Sequence, residues 1–179
     1  MKRHINEFVR LNCAADMLAL KLFPNAKEIT ESMAAYHAVR SHLLKQCEIS
    51  LDDPKVNLIC VGDGHTPRTA ALFAFRSGWN CTSIDPVLRE KEYPIKRLTL
   101  LRKKIEDTNL DSIIGVAIVV MVHSHAPMQA VLEHIKATRL HIVSIPCCVP
   151  HEIHGRYYLG YQDTAIWSPQ NTVKIWRNV

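Results

Sequence analysis

The chain has 179 residues, of which 47% are hydrophobic and 22% charged, and its net charge is +5. This balance is typical of one ordinary globular domain. The longest apolar run, Val116 to Val122, is too short to cross a bilayer, no signal-length apolar segment follows the basic start, and the six cysteines form no paired framework. We therefore expect a cytoplasmic protein that makes no contact with a membrane.

Residues 1–50 predict a helical extension. Pro24–Asn25 interrupts the apolar pattern, and a second helix is expected from about Thr30. The first helix rests on apolar residues at helical spacing, which are Phe8, Leu11, Ala15, Leu18 and Leu22. The extension would join a core over residues 55–179, and we expect the whole of 1–179 to form a single domain.

The first half of the core predicts a nucleotide-binding unit. Val56–Val61 has the length and composition of a buried strand, and Gly62-Asp63-Gly64 follows it as a turn. A helix ending near Gly78 and a short strand, Cys81–Ile84, lead to Asp85. Glycines let the backbone approach a ligand, and a carboxylate after the second strand can accept two hydrogen bonds from a ribose diol.

The second half continues the alternation of strands and helices. Leu98–Ile105 fits either a strand or a basic helix, and we favour the strand because Asp107 then follows its carboxyl end. Ile113–Val122 is apolar and rich in β-branched residues, which is typical of a central parallel strand. Met128–Thr138 predicts a helix, and His141–Ile145 predicts another buried strand.

Two strand-like runs close the chain, Tyr157–Tyr161 and Thr172–Trp176, and they could pair antiparallel at the sheet edge. The predicted class is α/β, with a mostly parallel sheet flanked by helices. In such a sheet, ligands bind beyond the carboxyl ends of the strands. The polar groups that follow these ends are Gly62-Asp63-Gly64, Asp85, Asp107, His123-Ser124-His125 and Cys147-Cys148.

Over Val56–Val179 the chain resembles the class I S-adenosylmethionine-dependent methyltransferases, which have a Rossmann-like fold. The resemblance implies S-adenosyl-L-methionine as cofactor. By this resemblance Gly62, Asp63 and Gly64 would hold its methionine part, Asp85 its ribose hydroxyls and Asp107 its adenine. It also implies that the loop after the fourth strand carries catalytic or substrate-facing residues.

The sequence departs from the family pattern in three places. Cys60 stands where the family has an acid, Thr66-Pro67 replaces the third glycine, and the family's Asp/Asn-Pro-Pro-Tyr motif is absent after the fourth strand. Asp63 could take over the contact of the missing acid. The departures also leave a second hypothesis, a catalytically inactive methyltransferase-like binding or assembly module. An NAD-binding enzyme is a third, which Pro67 disfavours because the dinucleotide fingerprint needs a small residue there.

His123 and His125 are the candidate catalytic residues, as a general base and a substrate-orienting donor, although ordinary loop histidines fit the sequence equally well. Cys147-Cys148 could supply a nucleophile that attacks a pyrimidine ring, or could be structural. Zinc ligation together with His151 and His154 is a further alternative, but adjacent cysteines are unfavourable spacing, so we expect no metal site.

These patterns favour an S-adenosylmethionine-dependent methyltransferase. Positioning of the methyl group in line with an oxygen or nitrogen nucleophile would supply most of the acceleration. The positive net charge favours RNA over a small metabolite as the acceptor.

Overall fold

The computed structural model describes residues 2–156 and 158–179. The strands are β1 Asn57–Val61, β2 Asn80–Ile84, β3 Leu98–Leu101, β4 Leu110–Val122, β5 Ile135–Ile145, β6 Leu159–Gln162 and β7 Thr172–Arg177. The α-helices are α1 Arg3–Phe8, α2 Ala14–Ala19, α3 Ala26–Val39, α4 Arg68–Arg76 and α5 Met128–His134. A π-helical turn, Arg40–Leu44, prolongs α3, and a 3₁₀ turn covers Ile105–Asp107.

The strands form one sheet in the order β3-β2-β1-β4-β5-β7-β6. The first five are mutually parallel, and β7 runs antiparallel to both of its neighbours, β5 and β6. The prediction of a mostly parallel α/β sheet with an antiparallel strand pair at one edge is confirmed. The predicted run from Tyr157 begins outside the described residues, and β6 covers Leu159–Gln162.

Alternating side chains of the central strands divide the core into two layers. Leu58 and Cys60 of β1 belong to the cluster that also contains apolar residues of helices α1 to α4. Ile59 and Val61 point to the opposite face, where they share a cluster with Met128 and other residues of α5. Both faces of the parallel strands are therefore covered, which explains their continuous apolar composition.

The N-terminal helices differ in detail from the prediction. The segment up to Leu22 is divided into α1 and α2 by a turn, and α3 begins at Ala26 rather than near Thr30. Asn25 accounts for the earlier start, because its side-chain oxygen accepts a hydrogen bond from the Glu28 amide at 3.2 Å and caps the helix.

The buried carboxylate of Asp163 fixes the first helix to the far end of the chain. His4 Nε2 lies 2.8 Å from Asp163 Oδ2, and Arg3 donates to the same carboxylate at 2.9 Å. His4 is fully buried, so this contact joins the helical extension to the loop after β6.

The expected helix Met128–Thr138 is wrong in its second half. The helix ends at His134, and Ile135 begins β5, where it pairs with Leu110 at the start of β4. Both strands are longer than predicted because each supplies the other with backbone partners.

The prediction of a strand within Leu98–Ile105 is confirmed, although β3 ends at Leu101. Across the described ranges, the helices are too short or too polar to span a membrane.

A buried histidine makes the stability of this fold sensitive to pH. His141 on β5 is fully buried, and burial, with a smaller effect from Arg139 and Arg177, lowers its pKa from 6.5 to about 4. The unfolded chain takes up this proton below about pH 6.5 and the folded chain only near pH 4. Stability from this site is therefore complete above pH 6.5 and is lost as the pH falls between these values.

We predict that His141→Gln reduces the loss of unfolding free energy between about pH 7.5 and about pH 5 by about 2 kcal/mol. Urea unfolding at the two pH values measures this difference. His154→Gln, at an exposed position, is the matched control and should retain the full wild-type pH dependence. An equal pH dependence in the wild type and His141→Gln would contradict the assignment.

Candidate functional site

A cavity of about 510 Å³ lies beyond the carboxyl ends of β1 to β4. Its volume is in the range of small-molecule sites. Its walls come from four segments that follow or end strands, which are Val61, Gly62, Gly64 and Arg68; Ile84 to Val87; Lys103 to Glu106; and Val122 to Pro127. The fold thus brings the ends of four strands, and the loops that follow them, to one crevice.

Asp85 and the glycine bend meet directly at this cavity. The Gly64 amide donates to Asp85 Oδ2 at 2.7 Å, and the Val87 amide donates to Oδ1 at 2.9 Å. Gly64 has a φ of +84°, which glycine adopts without strain. Each carboxylate oxygen can accept further hydrogen bonds, so Asp85 keeps capacity for a ligand hydroxyl.

Gly62 is required by a close approach between two loops. Its φ is +77°, and a Cβ at this position would lie 2.9 Å from Ser124 Cα and 2.3 Å from its Oγ. The loop after β4 therefore packs against bare backbone of the loop after β1. This contact sets the width of the cavity between the two loops.

The side chain of Asp63 is directed into the protein. It is buried, and its carboxylate accepts hydrogen bonds from the Thr69 amide at 3.0 Å, the Ala70 amide at 3.1 Å and Ser83 Oγ at 3.0 Å. These bonds satisfy the first turn of α4 and join it to β2. Asp63 is absent from the cavity wall, so any ligand contact at this position would come from its backbone.

Cys60, which stands where the family pattern has an acid, carries no charge. Cys60 is buried in β1, and burial raises the pKa of its thiol well above the usual value. The thiol is therefore neutral at physiological pH. The acid that the family pattern places here has no substitute in the Asp63 side chain, which caps α4.

The cavity wall after β3 includes Glu106, the residue before the predicted Asp107. Asp107 ends the 3₁₀ turn, whereas the residues on the cavity wall are Lys103 to Glu106. Ile105 contributes buried apolar surface there. The sequence places two acids side by side, and only the geometry of the turn distinguishes Glu106 from Asp107.

His123 and His125 both line the cavity, on the loop after β4. His123 has a φ of +50°, an uncommon conformation for a residue other than glycine. Its Nδ1 lies 3.4 Å from Glu31 Oε1, and its Nε2 lies 3.1 Å from the Gln170 carbonyl oxygen. Both ring nitrogens thus lie close to oxygen atoms of other segments.

Glu31 contacts a residue of the cavity wall, and the sequence does not reveal this contact. It lies on α3, is 1% exposed, and also pairs with Lys27 Nζ at 3.3 Å. It comes close to the loop after β4 because α3 packs against β4 and β5. No motif links it to His123, which is 92 positions further along the chain.

Arg68 is a second residue whose contacts at the cavity the sequence does not reveal. Its guanidinium lines the cavity beside Gly64, donates to the Asp63 carbonyl and lies 3.1 Å from Glu28 Oε2. The ion pair is largely buried, so it fixes the orientation of the arginine. A positive charge is therefore held next to the glycine bend.

The two adjacent cysteines lie next to His125. Cys148 Sγ is 3.4 Å from His125 Nε2 and 3.6 Å from Cys147 Sγ. Cys147 is partly buried and Cys148 is exposed, so they are not the buried structural pair that the sequence also allowed. His151 instead is buried against Ser144, with its Nδ1 2.5 Å from Ser144 Oγ, and His154 is exposed.

Comparisons with known proteins identify the fold. No protein-family model and no curated protein sequence matches the chain. A solved structure of a mutant of MtNAS, a nicotianamine synthase, in complex with S-adenosylmethionine is similar with a TM-score of 0.52 and 10% sequence identity. The match covers 97% of this chain and 69% of that chain.

A second structure of the same mutant has a TM-score of 0.49 at 11% identity and covers 97% of this chain and 67% of that chain. At this level of identity the first match establishes a likeness of fold. The chain has the class I S-adenosylmethionine methyltransferase-like fold that the strand order also shows.

We predict that Asp63→Asn lowers the free energy of unfolding by about 1–3 kcal/mol, because the amide cannot accept all the hydrogen bonds of the buried carboxylate. Urea unfolding at neutral pH measures the change. Asp111→Asn, at an exposed position near the start of β4, should stay within about 0.5 kcal/mol of the wild type. Equal stability of the two variants would show that the Asp63 carboxylate does not support α4.

Proposed function

We propose that this protein binds S-adenosylmethionine in the cavity and transfers its methyl group to an acceptor that enters beside the loop after β4. The observation that carries the proposal is the position of Asp85, whose carboxylate joins the Gly64 amide at the rim of a cavity of about 510 Å³. The likeness of fold to a protein solved in complex with S-adenosylmethionine supports the choice of ligand.

The nucleoside and the methionine part of S-adenosylmethionine would contact different walls of the cavity. The oxygens of Asp85 accept one backbone amide each and can still accept the two ribose hydroxyls. The backbone of Gly62, Asp63 and Gly64 would border the methionine part. Asp107 remains our predicted adenine contact by resemblance, with Glu106 and the apolar surface of Ile105 on the adjoining wall.

Arg68 supports the orientation of the ligand. The guanidinium lies beside Gly64, where the methionine part would sit, and a carboxylate is the group that arginine binds most strongly. Glu28 neutralises part of this charge from the side of α3. The ligand carboxylate would then complete a chain of alternating charges at this end of the cavity.

The bound sulfonium supplies an activated methyl carbon, and the chain positions the acceptor next to it. His125 is exposed and lines the cavity, so it can orient the acceptor. His123, which we proposed as the base, is held between Glu31 and Gln170. This geometry favours a positioning role for His123, in which it fixes α3 and the loop after β4 around the ligand.

The basic residues near the cavity support an anionic acceptor such as RNA. Lys103 and Lys104 lie on its wall, next to Arg102, which pairs with Glu90 on the protein surface. Phosphate contacts by such residues would make acceptor binding weaken as salt rises.

We predict that calorimetry detects S-adenosylmethionine binding to the wild type and at least about 10-fold weaker binding to Asp85→Asn, because a charged acceptor of ligand hydroxyls is replaced by a neutral one. Asp111→Asn is the matched carboxylate control and should bind like the wild type. Undetectable binding to the folded wild type at millimolar ligand would contradict the proposal.

We further predict that the protein, incubated with S-adenosylmethionine and an RNA pool, releases S-adenosylhomocysteine, the product that remains after the methyl group leaves. Chromatography separates it from methylthioadenosine, which would instead indicate transfer of the aminocarboxypropyl group. Methylthioadenosine as the main product would contradict methyl transfer. Tight cofactor binding without turnover on RNA, protein or metabolite pools would favour the inactive binding module.

A further inference from the structure

A cluster of soft metal ligands lies at the edge of the cavity, on the loops after β4 and β5. One ligand atom from each of His125, Cys147 and Cys148 lies within 4.8 Å of the other two. The sequence alone predicts no metal site, and its minor alternative combines the cysteines with His151 and His154. The fold places His125 beside them instead, because the loops after neighbouring parallel strands end at the same edge of the sheet.

The distances within this cluster fit a single ion. A tetrahedral zinc with bonds of about 2.3 Å to sulfur and about 2.0 Å to nitrogen holds two sulfurs about 3.8 Å apart and sulfur and nitrogen about 3.5 Å apart. The two thiol sulfurs are 3.6 Å apart, and Cys148 Sγ is 3.4 Å from His125 Nε2. Two of the three distances therefore match the spacing of ligand atoms around one zinc ion, and the third pair of ligand atoms lies within 4.8 Å.

We propose that His125, Cys147 and Cys148 bind one zinc ion at the cavity rim and leave a coordination position for the acceptor molecule. Two thiolates and one imidazole are ligands that zinc prefers, and sites with three protein ligands keep a fourth position for water or substrate. Because His125 also lines the cavity, that position would adjoin the site of methyl transfer.

Zinc binds cysteine as the thiolate, so zinc binding at this cluster would release the thiol protons. We therefore expect zinc binding to strengthen as the pH rises.

Another cluster of candidate ligands comprises His4, Glu7 and His37. His4 Nε2 lies 2.8 Å from Asp163 Oδ2, and His37 Nε2 pairs with Glu7. This cluster contains no thiol and does not line the cavity, so it is not part of the proposed site.

Metal titration without S-adenosylmethionine tests the site directly. The full chain, stripped with a chelator and kept with a phosphine reductant, is titrated with Zn²⁺ against a chromophoric chelator and separately with Co²⁺. We expect one equivalent to bind and the cobalt form to show thiolate-to-metal charge-transfer absorption. We expect Cys147→Ser and Cys148→Ser each to weaken zinc binding at least about 100-fold, since loss of even outer partners costs about 10- to 100-fold.

Two variants control for thiol and imidazole content. Cys13→Ser removes a thiol on the N-terminal helical segment, and His154→Asn removes an exposed imidazole. Both should bind zinc like the wild type, whereas His125→Asn should bind it more weakly. No cobalt–thiolate absorption, or unchanged zinc affinity in a variant that lacks both Cys147 and Cys148, would overturn the proposal.

The proposal that the acceptor occupies the fourth coordination position of the zinc ion rests on the proposed methyl transfer. The proposal that zinc binds does not rest on it. Zinc binding with no affinity for S-adenosylmethionine would contradict the proposed function and leave the metal site standing. Cofactor binding and turnover with no zinc affinity would overturn the metal site alone.

Discussion

The hydrogen bond from the Gly64 amide to Asp85 is the contact on which the rest of the site depends. It joins the loops after β1 and β2 and places a carboxylate and bare backbone at one rim. Asp63, one residue before Gly64, is bonded inward to α4 and β2, so the bend cannot relax in the opposite direction. Asp63 thus stabilises the core, whereas the neighbouring Gly64 forms part of the cavity wall.

The sheet brings the loops after β1 to β4 together at one edge. The parallel strands end at one edge, and helices cover both faces of the sheet. The N-terminal helices cover one face of the sheet and also contact residues of the cavity wall. Glu31 lies next to His123, and Glu28 pairs with Arg68. The extension is therefore part of the site, and the buried contact of His4 with Asp163 secures it to the other end of the chain.

Much of this arrangement could be predicted from local sequence. Apolar runs gave the central strands, and Gly62, Gly64 and Asp85 indicated a bend and an acid that do lie together. Contacts between distant segments could not be predicted, because nothing near Glu31 or Arg68 indicates which loop they reach. The predicted helix over Met128–Thr138 is wrong after His134, because pairing with β4 outweighs the helical pattern there. Likewise, only the fold shows that Asp63 points inward and that His125 lies beside Cys148.

A crystal structure of the protein with S-adenosylhomocysteine tests the account most directly. The account predicts that both ribose hydroxyls bond to Asp85, with the amino-acid end beside Gly62, Gly64 and Arg68 and the sulfur facing the loop that carries His123 and His125. A nucleoside that binds elsewhere, or a cavity that stays closed around an unliganded Asp85 at saturating ligand, would contradict it.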